Sequence, residues 1–207
     1  MDPVAFFCLQ HGRLHSSKVS QGLSIADQVF SGLTDQEMRA RPAKGLNSLV
    51  WLLWHMARVE DVGVNVIVTA GQQVLDEAWS SRLGVLRTDV GNGMTEDQLT
   101  EFATSADIAA IRAYRDAVGR RTRDVVETLG PASWAELVGP TDAARVPDWF
   151  KVFVGQPRAF ELGTSAITHN AIHLGEAVTI RSLVGAAPVA ESHRKPMLNL
   201  KDAEQQA

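Results

Sequence analysis

The stretch NSLVWLLWHMARVEDVGVNVIV, residues 47–68, decides the fold because it is the most apolar run of the chain and has helical periodicity. We expect Asn47 or Ser48 to cap this helix. Arg58, Asp61 and Asn65 are predicted to occupy a wetter neighbouring face. The inward positions follow steps of three and four residues: Leu52, His55, Val59, Val62 and Val66. One imidazole therefore lies on a predicted core stripe.

A second stretch, THNAIHLGEA at residues 168–177, places two further histidines on a predicted core stripe. His169 and His173 are four residues apart, so in a helix their side chains project from one face. We expect this helix to open at Pro157 and to run to about Val184, since Gly185 and Pro188 follow.

The other helices are predicted from stripes and capping boxes. Val19, Leu23, Ala26, Phe30 and Leu33 indicate a first core helix over residues 17–33, with an open start because His11, Gly12 and His15 make an extension towards Pro3 uncertain. A third core helix follows Ser105 or Asp107, runs to about Leu129 and carries Tyr114 inward. Shorter helices are expected to open at the capping boxes TDQE (34–37), TEDQ (95–98) and SWAE (133–136), and one more is expected around residues 75–83. Residues 139–156 read as a loop.

Four long amphipathic helices joined by connections of unequal length predict an all-α fold, an antiparallel four-helix bundle with long connections. Residues 1–188 are interpreted as one domain. Residues 189–207 are polar and lack periodicity, which indicates a mobile tail.

Composition excludes several classes of protein. A formal net charge of -4 gives no general attraction to nucleic acid or to anionic lipid. Cys8 is the only cysteine, so neither an intrachain disulfide nor a site of several thiolates is expected. The apolar run at residues 4–9 is too short for a signal peptide, and no run is long enough for a membrane span. A cytoplasmic location is expected.

The three core-facing histidines raise the question of a metal. A bundle can bring His55 together with His169 and His173, and three imidazoles leave an open position on zinc, although nickel, iron or manganese could also bind. The alternative is that the HxxxH spacing arose by chance. Burial of three polar rings is costly unless each ring is satisfied, which favours the metal without excluding the alternative.

The layout NSLVWLLWHMARVE followed by HNAIHLGEA resembles the DinB-like metalloprotein superfamily of YfiT-like four-helix bundles. LTDQEMRARPAKGLNSL is similar to the family's approach to its first histidine helix. The resemblance implies that His55, His169 and His173 bind a divalent metal, and that relatives commonly form homodimers. Many relatives carry Gln at the position of Glu176.

Characterised members of this family use mycothiol, bacillithiol or a related low-molecular-weight thiol for S-transfer or isomerisation. The resemblance therefore implies that a metal activates a small thiol, which attacks an electrophile. The rival hypothesis is a non-enzymatic, damage-inducible stress-response protein that only binds the metal, and a weaker third one is a metal-free bundle with an apolar pocket.

Further candidates surround the histidines. Tyr114 and Glu176 are candidates for proton transfer or for orienting a ligand. The alternative for Tyr114 is a phenol hydrogen-bonded to a backbone carbonyl, and the alternative for Glu176 is a charge at the edge of the helix stripe. Arg58 is a candidate contact for an anionic substrate. The alternative is that Arg58 is an ordinary arginine exposed to solvent. Trp79, Trp149 and Phe150 are candidate pocket walls, against aromatic packing at a bundle end.

Overall fold

A computed structural model describes residues 2–20, 22–85, 87–140 and 146–189. Within these ranges the chain is helical, without a β-strand, and one isolated antiparallel bridge joins Leu137 to Pro157. The predicted all-α class is confirmed, whereas the count of four helices in the bundle stays a prediction. Residues 190–207, which make up nearly all of the predicted tail, lie outside the described ranges. No described helix is both long and apolar enough to cross a membrane.

Eleven α-helices lie in the described part of the chain, and several are interrupted or extended by other helical turns. Their bounds are α1 Pro3–Leu14, α2 Ser17–Ser20, α3 Ile25–Phe30, α4 Asp35–Arg39, α5 Leu49–Asp61, α6 Glu77–Leu83, α7 Glu96–Ser105, α8 Ile108–Thr128, α9 Pro131–Ala135, α10 Arg158–Leu162 and α11 His169–Leu183. The π-helical segments Val62–Val68 and Gly163–Thr168 continue α5 and α10, and Asp148–Phe153 forms a 3₁₀ helix.

Helix α5 with its π-helical continuation is the centre of the molecule. Ser48 caps it by accepting a hydrogen bond from the backbone N–H of Trp51, and every residue of α5 is buried. It packs against α8 on one side and α11 on another. The predicted extent of this helix is confirmed, but the expectation of a wetter face is wrong, because Arg58, Asp61 and Asn65 are 0% exposed. They escape the cost of burial by bonding to one another and to neighbouring elements.

The helices that face α5 follow their predicted signals. Asp107 caps α8 by accepting from the N–H of Ala110, and Tyr114 points inward. The last long segment follows Pro157 and ends at Val184, where Gly185 adopts a φ of 78° that glycine tolerates. Its π-helical middle interrupts the predicted continuous α-helix and places His169 at the first position of α11.

Two of the three predicted capping boxes are confirmed. Thr34 and Thr95 each accept a backbone N–H three residues on, and the Glu or Gln there returns the bond. The third prediction is wrong, because α9 begins at Pro131 and Ser133 lies inside it. Proline is favoured at a first helical position, and this preference decides where α9 starts.

The predicted single helix over residues 17–33 is also wrong. Its place is taken by the short helices α2 and α3, and Ser24 between them has an extended backbone and caps α3 through the N–H of Asp27. The long amino-terminal helix is instead α1, capped by Asp2, whose side chain accepts from Val4 and Ala5. The cap at Ser24 therefore decides where α3 begins, and the hydrophobic stripe of residues 17–33 is divided between two separate helices.

Candidate metal centre

The three predicted histidines meet where α5 packs against α11. His55 comes from α5, and His169 and His173 come from consecutive turns of α11. The Nε2 atoms of His55 and His169 are 3.2 Å apart, and one ligand nitrogen from each of the three rings lies within 4.8 Å of the others. Two nitrogens bound to one tetrahedral zinc ion stand roughly 3.3 Å apart. The spacing therefore fits a shared divalent cation.

Hydrogen bonds on the far side of two rings decide which nitrogen remains for a metal. Nδ1 of His55 lies 2.5 Å from the carbonyl oxygen of Val90, and Nδ1 of His173 lies 2.8 Å from Oε2 of Glu176. A carbonyl and a carboxylate only accept, so each Nδ1 carries the proton and each Nε2 keeps its lone pair. Partners of this kind orient metal-binding histidines in proteins.

His169 differs, because its Nδ1 is buried without a hydrogen-bond partner in the described residues. Without a cation, its Nε2–H can donate to Nε2 of His55 across the 3.2 Å contact. A metal bound at Nε2 would leave the proton of the neutral ring on Nδ1, which has no acceptor among the described residues.

Burial keeps the rings of His55 and His169 uncharged. It lowers the pKa of His55 to about 4, outweighing the hydrogen bond to Val90, which acts in the opposite direction. Burial also lowers the pKa of His169 to about 2, and the proximity of the other two rings lowers it further. Both rings are neutral near pH 7, the form that binds metals.

Glu176 lies behind the site rather than inside it. Its carboxylate accepts from His173, and Nδ2 of Asn47 donates to its other oxygen over 3.3 Å. The bond from His173 lowers the pKa of Glu176, more than its partial burial raises it. The side chain is therefore placed to hold the ring of His173.

One side of the site is closed by aromatic packing and the other is open. The ring of Trp51 stacks on His55 with centroids 4.4 Å apart, and its Nε1–H points at the sulfur of Met94. His55 is 4% exposed, whereas the side chain of His173 is 18% exposed. Solvent or a small ligand can approach from the α11 side.

Three other candidates of the sequence analysis meet in a buried cluster one turn further along α5. Arg58 donates to Tyr114 Oη over 2.7 Å and to Asp61 Oδ2 over 3.1 Å. The ring of Trp79 packs on Tyr114 with centroids 5.5 Å apart. Burial raises the pKa of Tyr114 well above its ordinary value. The phenol donates to Asp61 over 2.5 Å, so its proton is held in this cluster.

Trp149 and Phe150 lie in the 3₁₀ helix and stack on each other with centroids 3.8 Å apart. Phe150 is fully buried in an apolar cluster that also contains Val59, Val62 and Val90. Val90, whose carbonyl holds His55, belongs to the same cluster. The two rings are therefore part of the apolar packing that includes the residue behind His55.

The sequence analysis missed a second cluster, formed by His11, His15 and Glu60. All three are at most 1% exposed, and one ligand atom of each lies within 4.8 Å of the others. His11 Nε2 is 2.9 Å from Glu60 Oε1, and His15 Nε2 is 3.9 Å from Glu60 Oε2. The available signal was the HxxxH spacing of His11 and His15, which the sequence analysis used only as a reason to leave the start of the first helix open.

The hydrogen bonds of the second cluster are those of a buried carboxylate that accepts bonds from several side chains, and they suit a metal site less well. Ser16 N–H donates to His15 Nδ1 over 2.9 Å, so the proton of a neutral His15 sits on Nε2, the atom that a metal would need. Glu60 already accepts from Thr122 over 2.7 Å and from Asn170 over 3.1 Å. Burial raises the pKa of Glu60, but its bonds and the neighbouring positive charges outweigh burial and lower it. Of the two clusters, the one around His55 has the better ligand set.

A cavity of about 590 Å³ lies beside α1 and bears on the hypothesis of a metal-free binding pocket. It is lined by apolar side chains such as Leu9 and Ile25 together with Cys8, Arg13 and Arg123. None of the three site histidines lines it. The candidate metal centre between α5 and α11 is therefore separate from this cavity.

Comparisons with known proteins agree with this architecture. A crystal structure of a conserved protein from Enterococcus faecalis superposes with a TM-score of 0.65, covering 89% of this chain and 98% of that chain at 20% sequence identity. At that identity the likeness shows the fold alone. We find no match among curated proteins. The model of the DinB superfamily matches residues 20–177, a range that contains all three site histidines. The chain therefore belongs to the DinB superfamily.

Proposed function

We propose that this protein is a divalent-metal-dependent enzyme that activates a low-molecular-weight thiol of the mycothiol or bacillithiol type for S-transfer or isomerisation. One observation carries the proposal: the site histidines converge as a group of three, without a fourth His, Cys, Asp or Glu of the described residues in the group. A site with three protein ligands keeps a position for a substrate, whereas structural zinc sites are closed by four.

The residues have distinct parts in this proposal. His55, His169 and His173 bind the metal, for which zinc is the first candidate since neutral imidazoles suit it. A bound zinc ion would supply Lewis acidity that keeps a thiol in its thiolate form near neutral pH. Glu176 holds His173 through Oε2, and its other carboxylate oxygen, Oε1, is a candidate acceptor for the proton that the thiol releases. Trp149, which is partly buried, stays a candidate wall for the electrophile, whereas the fully buried Phe150 can only support it by stacking.

The rival proposal is a stress-response protein that binds the metal without catalysis. It predicts a fourth protein ligand, no exchangeable water on the metal and no thiol-dependent turnover. Partial exposure of His173 and Glu176 favours the enzyme, because a purely structural ion gains nothing from an open face.

The first experiment is elemental analysis of the purified protein and of His55→Ala, His169→Ala and His173→Ala. We expect about one divalent metal per chain in the parent and its loss in each variant. Glu60→Gln is the matched control, since it alters the second cluster and should leave the stoichiometry unchanged. Metal retained in all three histidine variants would refute the site.

The second experiment tests the chemistry. The metal-loaded protein is assayed against a panel of small thiols combined with electrophiles, including epoxides, alkyl halides and cis-unsaturated diacids. Turnover that needs both metal and thiol supports the enzyme. Full metal occupancy without turnover for any pair favours the rival.

A further inference from the structure

We propose that Arg58 is a positioning residue of the metal site, which fixes the segment 87–91 so that the carbonyl of Val90 meets Nδ1 of His55. The proposal rests on the proposed metal site and gives Arg58 a part other than substrate binding. The proposal is argued from the hydrogen bonds that the buried guanidinium of Arg58 makes. It also depends on the carbonyls of residues 88, 89 and 90, which follow one another directly in the chain.

The guanidinium of Arg58 uses all of its nitrogens. Nε donates to the carbonyl of Asp89 over 3.1 Å, and Nη2 donates to the carbonyl of Thr88 and to Oε1 of Gln73, each over 2.6 Å. Nη1 donates to Asp61 and to Tyr114. Five donor hydrogens therefore meet five acceptors, and the side chain is 0% exposed. No N–H is left for a substrate.

The two carbonyls that Arg58 holds come directly before the one that matters for the metal. Thr88 and Asp89 precede Val90, whose oxygen accepts the Nδ1 proton of His55 over 2.5 Å. A rigid planar donor that fixes two successive peptide units leaves the next unit little freedom. Arg58 thus determines the acceptor that keeps the metal-binding lone pair of His55 on Nε2.

Asp61 gives the guanidinium a countercharge and extends the same restraint to the start of the connection. Besides Arg58, it accepts the backbone N–H of Val74 over 2.8 Å and that of Leu75 over 3.0 Å. One buried pair on α5 therefore holds both ends of the connection between α5 and α7. A buried pair with every hydrogen bond made is the arrangement that tolerates burial of charge.

Close packing removes the remaining freedom at the other end of the segment. Gly91 has a φ of 90°, and a Cβ there would lie 2.6 Å from Cζ3 of Trp54. Its N–H donates to Oδ1 of Asp89 over 2.8 Å. The segment therefore lies flush on α5, between the guanidinium on one side and Trp54 on the other.

The test compares Arg58→Lys with Arg181→Lys. Arg181 is the matched control, because it is a buried arginine that also donates to backbone carbonyls, those of Val29, Ser31 and Ala187, but away from the site. Long-range ¹H–¹⁵N NMR spectra of the metal-free proteins report which nitrogen of His55 carries the proton. Chelator competition then reports the affinity for Zn²⁺.

We expect the parent and Arg181→Lys to show His55 protonated at Nδ1 and to bind Zn²⁺ within about twofold of each other. Arg58→Lys should show a mixture of tautomers and bind Zn²⁺ about tenfold or more weakly, the loss typical of altered partners behind a ligand. An unchanged tautomer together with unchanged affinity in Arg58→Lys would overturn the proposal. A parent that binds no Zn²⁺ would refute the proposed function, while the metal-free NMR comparison would still decide the part of Arg58.

Circular dichroism establishes that each variant is folded. If Arg58→Lys does not fold, Gly91→Ala displaces the same segment by its contact with Trp54 and leaves the guanidinium in place. Weaker Zn²⁺ binding by the folded Gly91→Ala protein then supports the proposal, and unchanged binding contradicts it.

Discussion

At the scale of single residues, the partners of the imidazoles matter more than their spacing. Both histidine clusters have an HxxxH pair and a third group from α5, and both bring their ligand atoms within 4.8 Å. They differ in the atom behind each ring, which is an acceptor for His55 and His173 but a donor for His15. Proximity alone would not separate the two.

The partner of His173 leads to a prediction for Glu176→Gln. An amide can still accept from Nδ1 of His173, but it lacks the negative charge that makes the imidazole a stronger ligand. We expect the metal stoichiometry to persist and the Zn²⁺ affinity to fall about tenfold. Chelator competition measures this, with Glu37→Gln at an exposed cap as the control. Equal or tighter binding would show that the charge has no part in the site.

A residue-scale prediction of stability concerns Gly119→Ala on α8. A Cβ at this position would lie 2.5 to 2.7 Å from three atoms of the buried His15 ring. We expect a loss of about 1 to 3 kcal/mol in the free energy of unfolding, typical of an overpacked core. Gly175→Ala on α11 is the control, because its Cβ would meet nothing within 4 Å and should stabilise the helix by roughly 0.5 kcal/mol. Denaturant unfolding that ranks the two variants the other way would contradict this packing.

At the scale of elements, the sequence predicted the parts that depend on local signals. Helix α5, the capped starts of α4 and α7, and the histidine stripe of α11 could be read from short-range spacing. The burial of Arg58 and Asp61 could not, since it depends on hydrogen-bond partners 13 to 56 residues away in the chain. Without knowledge of such distant partners, polar residues on a helix are predicted to be exposed to solvent.

The contact between α10 and the π-helical segment Val62–Val68 gives an element-scale prediction. Glu161 is 0% exposed, accepts one hydrogen bond from within the described residues, that of Ser165, and packs against Gly63. Burial raises its pKa to about 8 from an ordinary 4.5. The folded protein therefore holds a proton there that the unfolded chain loses, so the stability contributed by Glu161 is complete below pH 4.5 and is lost as the pH rises through 8.

Glu161→Gln removes this dependence. We expect its free energy of unfolding, relative to the parent, to rise by more than about 1 kcal/mol between pH 5 and pH 9. Denaturant unfolding at both pH values measures the difference, and Glu127→Gln at an exposed position of α8 provides the control. The same pH dependence in Glu161→Gln as in the parent would show that the carboxyl group is ionised throughout.

At the scale of the whole molecule, α5 connects the two polar clusters with the rest of the fold. Glu60 faces the amino-terminal helix through His11, while His55 faces α11 and Arg58 faces the connection to α7. The match to the DinB superfamily begins at residue 20, after α1, His11 and His15. The DinB-like helical fold and the three candidate metal ligands could thus be predicted from sequence. The second cluster, formed by His11, His15 and Glu60, became visible only in the three-dimensional structure.

The central claim is one open metal site formed by His55, His169 and His173, and a crystal structure of the metal-loaded protein with anomalous scattering at the zinc edge tests it most directly. The account predicts one strong peak per chain, bound by three Nε2 atoms at about 2.1 Å with a further position free of protein ligands. A peak at His11, His15 and Glu60, or a fourth protein ligand closing the first site, would contradict it.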